Sequence, residues 1–76
     1  IKHHQSRLET TQSTLEEGPQ TAWEASLKLF PANLDAKQRR FAWAETLAHL
    51  EYLNAQGHIQ MKNENNAVSF ALNHMI

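Results

Sequence analysis

The hydrophobic period of this sequence changes once, at Gly57, and that change sets what the chain can fold into. Between Asp35 and Gln56 apolar residues recur at helical spacing, with Trp43, Leu47, Leu50 and Leu53 on one side and Phe41, Ala44 and Ala48 adjoining. Beyond Gly57 the period is two. Ile59 and Met61 alternate with His58, Gln60 and Lys62, and Val68, Phe70 and Leu72 alternate with Ala67, Ser69 and Ala71. The pattern predicts one long helix and then two short strands. Asp35 can cap that helix with Gln38 in the capping-box position, and Gly57 can stop it. Asn63-Glu64-Asn65-Asn66 supplies turn chemistry between the strands, because asparagine tolerates left-handed backbone.

Upstream, two shorter helices are expected. From Ile1 to Glu17 there is no Pro or Gly, and Ile1, Leu8 and Leu15 form a narrow stripe with Thr11 between them, until Gly18-Pro19 ends the run. Thr21 and Glu24 make a capping box for a second helix, along which Trp23, Leu27 and Phe30 follow at helical spacing; Pro31 disfavours helical geometry at Phe30 and keeps it short. The fold class expected is mainly α with a small β-hairpin. The order helix, helix, helix, hairpin is the plan of a winged helix, a three-helix core with a β-ribbon as wing, in one domain over residues 1–76.

Size limits what such a chain can do. Of 31 hydrophobic residues ten are alanine, so 21 large apolar side chains must build the whole core. A deep catalytic cleft does not fit. Trp23, Trp43 and Phe30 are expected in that core, although three helices and a ribbon leave some apolar surface over for a partner. A net charge of -1 supplies no global field toward nucleic acid or an anionic membrane. Cysteine is absent, which excludes disulfides and thiolate metal sites and agrees with a cytoplasmic setting. No apolar run approaches the roughly 20 residues that span a bilayer.

The residue types that carry chemistry do not gather into a motif. His3, His4, His49, His58 and His74 include no pair at the i, i+4 spacing of a helical zinc motif. His49 is the one expected to be partly buried and hydrogen-bonded. Ser6, Ser13, Ser26 and Ser69 lack a nucleophile elbow, and Glu16 and Glu17, being adjacent, diverge instead of flanking one atom. No catalytic, cofactor-binding or metal-binding residue is assigned.

Taken in order, Ile1-x-His3-x-x-x-Arg7, the threonine-led second helix and His49-Leu50-x-x-Leu53-x-x-x-Gly57-x-Ile59 resemble the winged-helix domain at the C-terminus of metallo-β-lactamase-fold hydrolases. The resemblance covers nearly the whole chain and weakens after Met61. His4 and Leu8 stand where that family usually has an arginine and an acid, with Glu9 one step later. The resemblance implies a C-terminal fragment of a longer chain, which a start at isoleucine within a helix also fits. It further implies an accessory, non-catalytic domain that packs on its own upstream catalytic domain, shaping substrate access or forming a homodimer. Ile1, His3 and Arg7 would be the interdomain contacts. Zinc would belong to the catalytic domain, whose His-x-His-x-Asp-His run has no counterpart here.

A second reading rests on Lys37, Arg39 and Arg40, three of the seven basic residues, at the start of the long helix. Recognition helices place their N-terminal residues against base edges, so these three are the candidates for a nucleic-acid contact. Against that reading, Glu45 follows closely and the wing offers only Lys62 beside Glu64. A third is a standalone module whose apolar face recruits a partner helix.

Overall fold

The computed structural model describes the backbone of residues 2–73 and the side chains of residues 6–63 and 65–73. Its elements run α1 (Lys2–Ser13), β1 (Gln20–Thr21), α2 (Ala22–Leu29), α3 (Ala36–Ala55), β2 (Ile59–Glu64) and β3 (Ala67–Leu72). Three helices precede a hairpin, as expected. The added element is β1, which pairs Gln20 with Phe70 and Thr21 with Ser69 and makes an antiparallel sheet of order β1-β3-β2. Two residues carry no readable period, so only the pairing reveals them.

The first helix stops at Ser13, four residues before the expected Glu17. Hydroxyls cause this. Thr10, Thr11, Ser13 and Thr14 each donate to a carbonyl three or four residues back, at 2.7–2.9 Å, and such side chains compete with the helix ladder. The main chain tightens to i, i−3 bonds from Thr14 to Glu16, and Gly18 turns away at φ +136.

Both predicted capping boxes are present. In the first, the Glu24 N–H donates to Thr21 Oγ1 at 3.1 Å and the Thr21 N–H to Glu24 Oε1 at 2.9 Å. The second reproduces it one helix later. There the Gln38 N–H donates to Asp35 Oδ1 at 2.8 Å and the Asp35 N–H to Gln38 Oε1 at 3.1 Å. Phe30 closes α2 in extended geometry ahead of Pro31. At the far end of α3 the His58 N–H donates to Leu53 O and the Gly57 N–H to Asn54 O, with Gly57 at φ +84, the paired bonds of a Schellman stop.

Strand β2 extends through Glu64, so the turn is only Asn65-Asn66, both at positive φ (52 and 64). Ile59 pairs with Leu72 and Met61 with Phe70 across the hairpin. Its inner face is buried at the base, at Ile59 and Phe70, and open toward the tip, at Met61 and Val68.

Leu8, Leu15, Ala22, Ala25, Leu50, Leu53, Ile59 and Phe70 form the core, with Leu47 and Leu72 against it. Here the structure corrects the expected helix faces. The inward stripe of α3 is Ala42, Thr46, Leu50 and Leu53, and that of α2 is Ala22, Ala25 and Ser26. Small residues on both faces leave no room between the helices for an indole. Trp23 (41 % exposed) and Trp43 (44 %) therefore stand outside, Phe41 is 71 % exposed, and Phe30 is half-buried.

Candidate functional site

The displaced aromatic side chains line two separate apolar hollows. Trp23 on α2 and Trp43 on α3 meet edge to face, ring centres 5.9 Å apart and planes at 87°, an arrangement their quadrupoles favour. Together they wall a groove of about 490 Å³ whose opposite side is the open part of the ribbon, Met61 and Val68, with the buried Phe70 beneath. Among the described residues Glu51 is its only charged lining residue.

The second hollow, about 570 Å³, surrounds the N-terminal end of α3. Phe30, Leu34, Phe41 and Ala42 make its apolar lining, and its charged lining residues are Lys37 and Arg40. These sit three residues apart on one helix and so share a face. Arg39 lies elsewhere. Its Nη2 donates to the Pro31 carbonyl at 2.6 Å, and its guanidinium carbon is 6.0 Å from the centre of the Trp23 ring. The other nitrogen, Nη1, is buried with no hydrogen-bond partner among the described residues, and the π-face of Trp23 is the nearest compensation. The three basic residues thus divide, two on the hollow and one against the tryptophan.

Arg7 is engaged inside the domain. Its Nη1 donates to Glu45 Oε2 at 2.9 Å and its guanidinium lies 5.0 Å from the centre of the Phe30 ring, joining α1 to α3 and to the end of α2. Ile1 and the side chain of His3 lie outside the described residues. His49 is half-buried, its Nδ1 2.8 Å from the Glu45 carbonyl of its own helix.

Several hydroxyls are committed to the backbone. The hydroxyls of Thr10, Thr11, Ser13, Thr14, Ser26 and Thr46 all donate to carbonyls of their own helix or the turn that ends it. Among the described residues no three His, Asp or Glu side chains come together to hold a metal ion. Nor is any helix there long and apolar enough to cross a membrane. These surfaces can bind.

Residues 8–72 match the family described as metallo-beta-lactamase-like, C-terminal domain. The chain belongs to that family. A similar solved structure is the crystal structure of a beta-lactamase domain protein from Burkholderia ambifaria, with a TM-score of 0.84 and 30 % identity over 93 % of this chain. This chain corresponds to only 22 % of the length of that one. No curated protein matches. The residues that carry the family pattern have structural tasks in this C-terminal domain: Leu50, Leu53 and Ile59 are core, and Gly57 is the helix stop. The exposed aromatics lie outside that pattern. Reading α3 on its Ala42-Thr46 stripe instead of its Trp43-Leu47 stripe would have found them, since both stripes share Leu50 and Leu53.

Proposed function

We propose that this is the non-catalytic accessory domain of a zinc-dependent metallo-β-lactamase-fold hydrolase, packed on the catalytic domain and shaping substrate access or a dimer contact. The observation that carries this reading is the apolar surface left over. In this small domain Trp23, Leu27, Phe41, Trp43, Tyr52, Met61 and Val68 are all exposed, which leaves a neighbour apolar surface to cover. Family membership supports a neighbouring catalytic domain as the cover, and the helix order with β1 closing onto β3 supports a winged-helix architecture.

The described residues do not fit a zinc site, so the metal and the bond-breaking step are assigned to the catalytic domain and no step is routed through this one. Its own residues do something simpler. They hold an apolar surface on capped helices for the neighbour to cover.

Sequence upstream of Ile1 tests the reading first: a His-x-His-x-Asp-His run is expected, and an upstream region without it overturns the assignment. Metal analysis tests the division of labour. Zinc should accompany the catalytic part, and stoichiometric zinc on the 76-residue chain alone would contradict it. The nucleic-acid alternative predicts binding that weakens as salt rises and disappears when Lys37, Arg39 and Arg40 are all alanine. A titration with short RNA and DNA at low salt that gives no shift removes it.

A further inference from the structure

We infer that the hollow at the start of α3, and not the tryptophan groove, is the surface that meets the catalytic domain, and that it receives an apolar segment flanked by acidic side chains. This rests on the accessory-domain reading above and names the face and the chemistry of its partner. The two hollows differ in what already occupies their side chains. In the groove, Trp23 and Trp43 meet edge to face and Arg39 lies over Trp23, so part of that aromatic surface has a partner within the domain. Phe41 is different. It is the most exposed large apolar side chain described, at 71 %, in the second turn of α3, with no ring or cation packed on it among the described residues.

Charge selects the occupant. The charged side chains lining this hollow, Lys37 and Arg40, are both cationic, and neither has an ion-pair partner among the described residues. The partial positive charge of the α3 N-terminus is offset by the Asp35 carboxylate that caps it, so the cationic rim rests on Lys37 and Arg40. The nearby carboxylates are already committed: Asp35 accepts the Gln38 N–H at the cap, and Glu45 is paired with Arg7. An apolar floor with a cationic rim matches a partner that buries a large apolar residue against Phe30, Leu34 and Phe41 and sets carboxylates beside Lys37 and Arg40.

Hydroxyl-radical footprinting of the intact protein, catalytic domain included, reads this side chain by side chain. With each rate normalised to the intrinsic reactivity of its residue type, Phe41 and Leu34 should be strongly protected while Met61 and Trp43 are not. In the Lys37→Glu/Arg40→Glu variant, whose two changes lie on exposed positions and spare the core, Phe41 should become several-fold more reactive. A Lys37→Ala/Arg40→Ala variant should give an intermediate rate. Protection that falls on Met61, Trp23 and Trp43 instead overturns the choice of face and leaves the accessory-domain reading standing. Full reactivity at both hollows overturns both. Protection of Phe41 that is indifferent to the charge reversal overturns the acidic partner.

Discussion

Arg7 reaches two elements from a third. It pairs with Glu45 on α3 at 2.9 Å and lies 5.0 Å from the ring centre of Phe30, the residue that caps α2. Both charged side chains are about a third or more exposed, at 41 % and 33 %, so water and salt screen the pair. A double-mutant cycle of Arg7→Ala with Glu45→Ala should give a coupling of about 0.5–1 kcal/mol, shrinking at high salt. Arg7→Ala alone should cost somewhat more than Arg7→Met, because methionine keeps an apolar stem of similar length and alanine does not. Chemical denaturation of the four variants measures this, and a coupling indistinguishable from zero would mean that the ion pair does not orient α1. At this scale the sequence was least legible. Arg7 was readable as a contact residue but not as one used inside the domain, since its partner lies 38 positions away. The tryptophans misled for a related reason: periodicity locates a stripe to within a neighbouring position, and only the small residues facing it decide which stripe turns inward.

Elements were far more legible, because their signals are local. The starts of α2 and α3 are each written as a cap with its reciprocal residue three positions on, and each bond is made. Asp35→Ala should therefore cost about 1 kcal/mol, the ordinary worth of a capping side chain, with Asp35→Asn losing much less. A urea titration followed by circular dichroism checks both. The hairpin turn makes the opposite prediction. Asn65 and Asn66 both sit at positive φ in a two-residue loop, as a type I′ turn requires, and glycine suits the second position better than asparagine. Asn66→Gly should raise stability by a few tenths of a kcal/mol to about 1 kcal/mol, and Asn66→Ala should lower it. If the glycine variant is the less stable, the turn is not of this type. The end of α1 and strand β1 escaped the sequence because their causes are diffuse. A run of hydroxyls back-bonding over one turn shortens the helix, and a two-residue strand exists only where β3 offers an edge.

At the scale of the whole molecule, the constraint is how few side chains hold it. Among the described residues the core is eight side chains, two of them alanine, at the junction of three helices and the base of the ribbon. For 76 residues a total stability of roughly 4–11 kcal/mol is expected. Leu50 has no exposed surface, and its helix position places it between the other two helices and the sheet base. Leu50→Ala removes buried methyl groups and leaves a cavity, at a cost of about 2–5 kcal/mol, which is a large share of that total. Phe41→Ser, with the same nominal loss of an apolar side chain, removes one that is 71 % exposed and should change stability by less than about 1 kcal/mol. The pair separates what folds the domain from what it offers outward. Thermal and urea unfolding should show Leu50→Ala strongly destabilised or unfolded at 37 °C and Phe41→Ser close to wild type. In the intact protein the order at the domain junction should reverse: Phe41→Ser should release this domain to limited proteolysis from its neighbour while its own fold persists. A Phe41→Ser variant that unfolds the domain itself would place that ring in the core and remove the surface on which the interdomain contact depends.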